Sequence, residues 1–517
     1  MRLSRFGIIG ASPGRVSVLG RSVIAALVAA GAELIVWIEG DAEEPLPGDL
    51  HQPSALSPAP SVTVCSKADA AALLAKQPID FLLQLDSGPQ QIYSEPQCGV
   101  WRLATASPGP LAFWDVYDGA FCLEIRLERL LNGSQSIALE RRWIQVDRLS
   151  YTRTLGRVVE EMSEMVAYVA RCGPPESSDV VVFPPAHTDW PTAWETLLLQ
   201  VKLGLRFAAD QYRGLLFSEA WMVGVVEAPA SEFLDMGYQP QIHWLPSPTQ
   251  QRFLADPFLV RCPDGWLLMA EDFDFDTNLG RIVQEFSADG RFVGNVQDAI
   301  VALKPSGEPC HMSYPFLLQH AGELYCIPET HQLDGVFAWR WDAGSRTWKD
   351  RREIISGAAL LDPTLVFYED RWWMFATRKE NGVDSKLHLF YADSIWGPWQ
   401  PHARNPVKVD VRSSRPGGKP FVEGGRLYRP AQDSSKHYGW RSVVNMVTCL
   451  TPTEFREETI RVVDSDRLGM SGVHTLSGSE DRTLIDAWKP RLVPGRALRV
   501  LLHKIQKLAG LQSDRRS

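Results

Sequence analysis

The chain has 517 residues, of which 45% are hydrophobic and 22% are charged, and its formal net charge is −9. At about 150 residues per domain, this length predicts about three domain-sized units. The composition excludes disordered, collagen-like and coiled-coil proteins, and 53 basic against 62 acidic residues give no electrostatic reason to bind nucleic acid. No apolar run reaches the roughly 18 residues typical of a transmembrane helix, and the amino terminus lacks a signal-peptide layout, so we expect a cytoplasmic protein.

The amino-terminal part predicts a strand-helix-strand unit over residues 5–40 and a further helix and strand over residues 67–88. This alternation indicates a parallel α/β sheet, which we place in a domain over residues 1–150. The glycines of the first turn, Gly10, Gly14 and Gly20, do not fit the GxGxxG pattern, and the eight cysteines contain no CxxC spacing. We therefore expect no cofactor and no metal.

Residues 151–235 place apolar side chains at three- and four-residue steps, which predicts a helical linker. Residues 236–490 are predicted to be all-β, with a repeat at steps of about 48 to 58 residues. The repeat points are Pro257, Pro315, Pro363, Pro420 and the neighbourhood of His474. This period suits a blade of four short antiparallel strands, so the sequence predicts a five-bladed β-propeller in a multidomain α/β plus all-β protein.

In a propeller, the first strand of each blade lines the central channel, so the repeated motifs converge. The channel candidates on first strands are Asp256, Tyr314, Asp362, Lys419 and His474, and those on turns and second strands are Glu271, Asp272, Glu329, Arg378, Arg429, Gln432 and Asp433. Carboxylates that face each other across a cavity suit glycosidic bond chemistry. We predict Asp256 as general base, Glu329 as acid and Asp362 as a modulator of charge or a sugar-hydroxyl ligand. The alternative is that the Asp-Pro pairs are structural turns and that His311 and His474 are structural histidines.

Basic residues beside the blade motifs indicate an anionic ligand. Arg378, Arg415 and Arg429 are predicted to hold its phosphate or carboxylate group, although pairing with neighbouring acids on the propeller rim is an equal alternative. The segment RPAQDSSKHYGW adds Gln432, Asp433 and Tyr438 as a predicted sugar-binding loop. The remaining predicted substrate contacts are Glu271, Asp272, His311, Tyr314, Lys419 and His474.

The segment from about 250 to 480 resembles the propeller domain of plant glucosamine inositolphosphorylceramide transferases and related bacterial proteins. The resemblance rests on FLADPF, HMSYPF, IPET, LLDPT, RWWMFAT, GPWQPHARNPV, RPGG and RPAQDSSKHYG. More distantly it is similar to five-bladed furanosidases and mannoside phosphorylases, whose catalytic acids line the channel. Asp256 matches their first-blade aspartate, whereas Tyr314 stands where the second blade usually has an acid. The plant proteins pair the propeller with a separate glycosyltransferase domain, which implies a glycosyltransferase partner.

The first 150 residues resemble the formyltransferase fold through GVWRLATASPGPLAFWDVYDGAFCLEIRLERL and NGSQSI. That family works with an Asn-His-Asp set, which is missing from LQLDSG, LATASPGP and NGSQ. The resemblance therefore implies a domain without catalytic chemistry, which either retains a ligand or supports the propeller.

The carboxyl-terminal tail, residues 491–517, is basic and predicts an amphipathic helix. It would rest on an anionic membrane surface beside a lipid-linked glycan, cap the propeller or contact a partner. Together these features predict an enzyme of surface polysaccharide or glycolipid biosynthesis, which binds a sugar or sugar phosphate and transfers or cleaves a glycosidic linkage. The alternative is a non-catalytic glycan-binding module that serves a separate glycosyltransferase.

Overall fold

The computed structural model describes residues 3–10, 17–39, 62–85, 96–107, 110–131, 136–174, 180–181, 190–249, 251–380 and 382–492. The chain divides into two compact units, and the boundary along the chain lies between Phe207 and Ala208. Within the described ranges, no helix combines the length and the hydropathy that crossing a bilayer requires. The predicted tail helix lies outside the described residues from position 493 onward.

The first unit contains an eight-stranded sheet in the order β3-β2-β1-β4-β5-β6-β7-β8. The strands are β1 Arg5–Gly10, β2 Leu34–Glu39, β3 Val62–Cys65, β4 Phe81–Gln84, β5 Val100–Thr105, β6 Cys122–Leu130, β7 Ser136–Gln145 and β8 Val180–Val181. Strands β3, β2, β1, β4 and β5 are parallel neighbours, and β6 to β8 continue the sheet in antiparallel pairs. The predicted parallel α/β sheet is therefore confirmed, whereas the finer formyltransferase assignment stays a prediction.

Five helices accompany this sheet in the described part of the chain: α1 Val18–Ala29, α2 Lys67–Lys76, α3 Phe113–Asp118, α4 Tyr151–Cys172 and α5 Ala193–Leu216. The starts of α1, α2, α4 and α5 are set by side chains that accept otherwise unpaired backbone N–H groups, whereas α3 begins after Ala112 without a side-chain cap. Ser150 accepts from the N–H of Arg153 at the start of α4, and Thr192 and Glu195 form a reciprocal capping box before α5. The apolar face of α4, with Val158, Met162 and Val166, is buried in the core of the first unit.

The second unit is a propeller of five sheets. Its strands are β9 Phe217–Val226, β10 Ile242–Trp244, β11 Arg252–Cys262, β12 Gly265–Asp274, β13 Leu279–Ser287, β14 Gln297–Ile300, β15 Ser313–His320, β16 Glu323–Glu329, β17 Gly335–Asp342, β18 Thr347–Ser356, β19 Leu360–Tyr368, β20 Arg371–Arg378, β21 Lys386–Ala392, β22 Gln400–Pro401, β23 Lys408–Val409, β24 Phe421–Glu423, β25 Arg426–Asp433, β26 Arg441–Leu450, β27 Phe455–Val463, β28 Leu476–Ser479 and β29 Arg482–Leu492. Short 3-10 helices lie at Ala230–Leu234, His331–Leu333 and Asp466–Leu468.

The five blades are β11-β12-β13-β14, β15-β16-β17-β18, β19-β20-β21-β22 with β23 on β21, β24-β25-β26-β27 and β10-β9-β29-β28. The predicted five-bladed propeller is therefore confirmed. The fifth blade joins both ends of the unit, because β9 pairs with β29 from Phe217 opposite Leu492 to Val226 opposite Thr483. Strand β9 lies in the stretch predicted as linker, so the first propeller strand begins before residue 236.

In three blades, the repeated proline lies in the same kind of β-bulge on the inner strand. Asp256, Tyr314 and Asp362 have left-handed φ values of 50°, 47° and 49°, and each precedes a proline. The pairing with the second strand shifts register at the same three places. A bulge suits proline because the ladder needs no N–H there. The fourth blade departs from this pattern, since the left-handed residue is Gly418, one position before Lys419.

Tyr314 ties three blades together at the centre of the propeller. Its hydroxyl accepts the N–H of Gly418 at 2.8 Å and lies 2.9 Å from Thr364 Oγ1 and 3.1 Å from the Gly418 carbonyl oxygen. The side chain is fully buried, and burial raises the pKa of Tyr314 far above its ordinary value. Tyr314 therefore acts as an inter-blade tie, and no open surface remains for the substrate contact predicted from the sequence.

We expect Tyr314→Phe to lower the free energy of unfolding by about 1–3 kcal/mol, because the buried Gly418 N–H loses its partner. Chemical denaturation of the full chain measures this change. The matched control is Tyr368→Phe, whose hydroxyl donates to the Gly425 carbonyl in an exposed hydrogen bond and whose loss should change stability little. Equal effects of the two substitutions would contradict the inter-blade role.

Candidate functional site

A cavity of about 800 Å³ opens at the centre of the propeller, and we call it the axial cavity. Five carboxylate residues line it: Asp210 of α5, Glu219 of β9, Asp256 of β11, Glu271 of β12 and Glu329 of β16. Basic and aromatic residues complete the wall: Arg213, His311, His331, Lys379, Arg415, His437, Trp221, Phe253, Phe273, Phe275, Tyr438 and Trp488. Acids, cations and flat rings therefore meet in one concave site, which is the usual form of a small-molecule site.

Glu329 is held as an anion. His331 Nδ1 lies 2.8 Å from its Oε1, and the backbone N–H of Asp362 donates to its Oε2 at 3.3 Å. Burial opposes ionisation, but the His331 hydrogen bond and the charge of Arg415 lower the pKa of Glu329 to about 2. At neutral pH this group is a fixed negative charge in the cavity wall.

Asp362 lies behind the wall, where Arg415 fixes it. Arg415 Nε donates to Asp362 Oδ2 at 2.6 Å, Gln432 Nε2 donates to the same oxygen at 3.2 Å, and Arg415 Nη1 donates to Asp384 at 3.0 Å. Burial raises the pKa of Asp362 to about 8, and Glu329 adds to this effect, although Arg415 opposes it. Asp362 and Glu329 therefore share the cation of Arg415.

Asp256 sits where the first and fifth blades meet. Its backbone N–H donates to Asp486 at 2.8 Å, and its Oδ1 accepts from Thr475 Oγ1 at 2.9 Å. Asp486 is fully buried and also accepts the N–H groups of His474 and Thr475, while His474 Nδ1 lies 2.8 Å from it. Burial would lower the pKa of His474, but Asp486 and Asp256 raise it, and burial raises the pKa of Asp256.

The metal-ligating atoms of Asp256, His474 and Asp486 lie within 4.8 Å of one another. These atoms already bind one another and backbone N–H groups: His474 Nδ1 contacts Asp486, and Asp486 accepts three N–H groups. The geometry is therefore explained by hydrogen bonding within the protein. The predicted role of His474 as a ligand contact is replaced by a positioning one, since it stacks on Trp221 at 3.9 Å.

Glu271 differs from Glu329 and Asp256 because no cation pairs with it among the residues that the structure describes. His311 accepts the Gly280 N–H at its Nδ1, which places the proton of neutral His311 on Nε2, 3.9 Å from Glu271 Oε1. A Cβ at Gly280 would collide with the Glu271 carboxylate, so glycine is required there. Burial, followed by the charges of Asp256, Glu329 and Asp362, raises the pKa of Glu271 well above its ordinary value.

The axial cavity thus has more acids than cations to balance them. Mutual repulsion in a buried site prevents all of the carboxyl groups from ionising together. The proton stays on Glu271, which has the least compensation, and the negative charge stays on Glu329, which has the most. This division between a protonated and an ionised carboxyl group is what acid–base chemistry needs.

Several predicted contacts lie away from the axial cavity. Asp272 is fully buried between Arg252 and Arg281, Asp433 pairs with Arg441, and Arg429 pairs with Glu457. Arg378 and Lys419 are not among the lining residues, and the buried Gln432 donates to Asp362 and to the Pro416 carbonyl oxygen. Of the predicted residues, those that line the cavity are Asp256, Glu271, His311, Glu329, Arg415 and Tyr438.

The sequence indicated neither Trp221 nor Asp486 as a functional residue, whereas Lys379 is one of the basic residues beside the blade motifs. Trp221 belongs to β9, far from the repeated motifs along the chain, and only the pairing of β9 with β29 brings it to the cavity. Asp486 lies in RTLIDAW, the weakest copy of the repeat. Lys379 follows the RWWMFATR strand, where the charged end of that strand was a usable signal.

Arg429→Met should lower the free energy of unfolding by about 3–5 kcal/mol, because it leaves the buried Glu457 carboxylate with Lys408 as its remaining ion-pair partner. Arg426→Met, on the same strand but exposed, is the control and should have little effect. Denaturant unfolding measures both. A stable Arg429→Met protein that has lost ligand binding would restore the role predicted from the sequence.

Comparison with known proteins shows that the central part of this chain is similar to a known kind of domain. Residues 246–477 match the family model described as glucosamine inositolphosphorylceramide transferase 1, N-terminal, which confirms the resemblance predicted there. Particular relatives are the glucosamine inositolphosphorylceramide transferase 1 proteins of plants. The chain is 32% identical over 219 residues to that of Oryza sativa subsp. japonica, which is 41% of this chain and 28% of the relative. It is 32% identical over 249 residues to that of Arabidopsis thaliana, which is 46% of this chain and 30% of the relative.

The chain thus matches less than a third of the length of these plant proteins. Among solved structures, it is similar to Zg3597, a family 117 glycoside hydrolase of Zobellia galactanivorans, with 14% identity, a TM-score of 0.34, and coverage of 53% of this chain and 91% of that one. It is also similar to the catalytic domain of the Coprinopsis cinerea GH62 α-L-arabinofuranosidase, with 11% identity, a TM-score of 0.34, and coverage of 53% and 96%.

Proposed function

We propose that this chain is a carbohydrate-active enzyme of surface polysaccharide or glycolipid assembly, which binds a sugar in the axial cavity and transfers or cleaves its glycosidic linkage. The observation that carries the proposal is the opposite pKa shift of two carboxyl groups in one cavity wall, raised at Glu271 and lowered at Glu329. Such a pair supplies a proton donor and a fixed anion at neutral pH. The names of the plant relatives support a glycan-related role.

In this proposal the proton donor is Glu271 rather than Glu329. A carboxyl group with a pKa of about 2 holds no proton to give at neutral pH, whereas Glu271 retains its proton because it is buried among other acids. Glu271 donates that proton to the leaving oxygen as the bond from the anomeric carbon to this oxygen breaks. Asp256 accepts the proton of the incoming water or acceptor hydroxyl as the new bond to the anomeric carbon forms.

In this proposal, Glu329 and Asp362 act electrostatically on the substrate and not as the proton donor or the base. The ionised Glu329 carboxylate stabilises the positive charge that develops on the sugar ring, and Arg415 fixes Asp362 behind it. Asp256 is well suited to a base because, among the described residues, its carboxylate accepts one hydrogen bond, from the neutral hydroxyl of Thr475, and burial raises its pKa.

The rest of the wall suits a sugar that carries a negative group. Trp221, Tyr438 and Trp488 offer ring faces to a pyranose, and Lys379 forms no ion pair with the residues that the structure describes. Lys379 and Arg213 would bind a phosphate or carboxylate of the ligand. We extend the proposal to a phosphate-bearing sugar, a cytoplasmic location and a glycosyltransferase partner.

One observation favours a second function, a non-catalytic glycan-binding module that serves a separate glycosyltransferase. Glu329 and Asp362 are held by His331 and Arg415, and Tyr314 takes the place of an acid in the second blade. Internally paired acids suit a structural cluster as well as a catalytic one. The two functions differ in whether Glu271 is needed for turnover or only for the shape of the cavity.

Glu271→Gln should lower turnover at least about a hundredfold while leaving ligand binding intact, because glutamine keeps the shape and cannot donate the proton. A thermal-shift panel of nucleotide sugars, sugar phosphates and neutral oligosaccharides first identifies the ligand, since saturation at about a hundred times Kd adds about 2.7 kcal/mol. Release of the free sugar or its transfer to an acceptor is then followed by chromatography.

Glu323→Gln, at an exposed glutamate that begins β16, is the matched control and should retain full activity. A ligand that binds both wild type and Glu271→Gln without any turnover would overturn the enzymatic proposal in favour of the binding module. Asp256→Asn is a second test, since asparagine also accepts the left-handed φ of 50° and so keeps the bulge.

The activity should depend on pH with a bell-shaped profile. Activity falls as pH drops through the pKa of Asp256, because the base becomes protonated, and falls as pH rises through the pKa of Glu271, because the acid is lost. Glu271→Gln should remove the alkaline limb from the residual activity, and measurement of kcat/KM against pH tests this. An alkaline limb that persists in Glu271→Gln would assign the proton donor to another group.

A further inference from the structure

A second cavity, of about 580 Å³, lies at the outer edge of the propeller between the fourth and fifth blades. We call it the edge cavity. Its wall is built from the end of β27, from the edge strand β10, and from residues 236–241 and 464–468. It shares no lining residue with the axial cavity.

An aromatic platform forms one side of the edge cavity. Trp244 of β10 lies opposite Gly224 of β9, and a Cβ at Gly224 would come within 2.9 Å of two carbons of the indole ring. The ring therefore lies across the glycine, and it remains half-buried rather than covered. Tyr238, also half-buried, packs edge-on against Phe233 with ring centroids 5.3 Å apart. Partly open rings on a fixed support are suited to contact a sugar ring.

Arg461 is the unusual charged group of the edge cavity. The residue is only 8% exposed, its Nη1 donates to the Met236 carbonyl oxygen at 3.3 Å, and its Nε has no hydrogen-bond partner among the described residues. No carboxylate of the described chain pairs with it, although buried arginines are ordinarily paired. A guanidinium that is buried without a counter-ion is therefore complementary to an anionic ligand.

Arg467 adds a second, exposed cation to the same wall, and Asp464 is the acid that lines it. One Asp464 oxygen already accepts the N–H of Asp466 at 2.9 Å. The lining therefore carries one more positive than negative charge. An uncharged ligand would leave this excess uncompensated, whereas a ligand with a single carboxylate would balance it.

We infer that the edge cavity is a second carbohydrate site, which binds an acidic sugar unit such as a uronic acid residue of a glycan chain. Arg461 and Arg467 bind the carboxylate, and Trp244 and Tyr238 contact the sugar ring. The inference goes beyond the function proposed for the axial cavity, because it requires no bond to be made or broken and applies equally to an enzyme and to a binding module.

The test is isothermal titration calorimetry of the full chain with three probes: a trisaccharide of galacturonic acid, the neutral trisaccharide maltotriose, and glucose 6-phosphate. We expect the acidic trisaccharide to bind and maltotriose to bind at least about tenfold more weakly. Arg461→Met should weaken binding of the acidic trisaccharide by at least about tenfold, because it removes a charge-assisted hydrogen bond from a buried site. Binding of glucose 6-phosphate in place of the uronate would overturn the assignment to a carboxylate.

Three variants separate this site from the other effects of mutation. Arg456→Met, at an exposed arginine on the same strand, should leave binding unchanged, and Lys379→Met, which removes a cation from the axial cavity, should do so too. Arg467→Met lies on the surface, so it reports on the site even where Arg461→Met destabilises the fold. The proposal is overturned when both arginine variants bind the acidic trisaccharide like wild type, or when Lys379→Met abolishes that binding.

Discussion

The pairing of β9 with β29 is the interaction on which the rest of the propeller depends. Strand β29 ends the described chain and β9 is the first strand of the unit, and their antiparallel register runs from Phe217 opposite Leu492 to Val226 opposite Thr483. This closure turns four ordinary sheets into a ring with no free edge at the junction. It also brings Trp221 and Asp486, from strands at the two ends of the unit, to the first-blade residue Asp256.

A second constraint is electrostatic. The ring concentrates carboxyl groups in a buried volume where Arg415 is the cation that Glu329 and Asp362 share. Excess acid in a low-dielectric site forces a proton to remain bound, and local hydrogen bonds decide which group keeps it. His331 and Arg415 hold the charge on Glu329, so the proton remains on Glu271. The division of roles thus follows from which neighbours each carboxylate has, rather than from residue type.

The sequence predicted the architecture well because its main signal was local and repeated. The prolines at 257, 315 and 363 mark bulges that the structure shows at the same register, and five repeats gave five blades. It also indicated Asp256, Glu271 and Glu329 as residues of one site, since blade geometry alone brings them together. Trp221 could not be predicted in this way, because its place depends on pairing across more than 250 residues of chain.

Arginines were harder to assign than acids for a related reason. Arg415 and Arg429 both lie beside blade motifs, yet Arg415 enters the axial cavity while Arg429 is buried against Glu457. A long side chain can reach either neighbour, and its partner on another strand is not visible in a linear pattern. A short side chain at a bulge has less freedom, and Asp256 lines the axial cavity as predicted, whereas Asp362 lies behind its wall.

At the bulges, the requirement for a particular backbone conformation is separate from the requirement for a particular side chain. Their backbone asks only for a residue that tolerates a left-handed φ before a proline, and Asp256, Tyr314 and Asp362 all satisfy it. The backbone of the bulge therefore does not by itself select the side chain that points towards the axis, although Tyr314 adds inter-blade hydrogen bonds of its own. The same bulge carries an aspartate in the first and third blades and Tyr314 in the second. A propeller of this kind can gain or lose reactivity blade by blade while its ring stays intact.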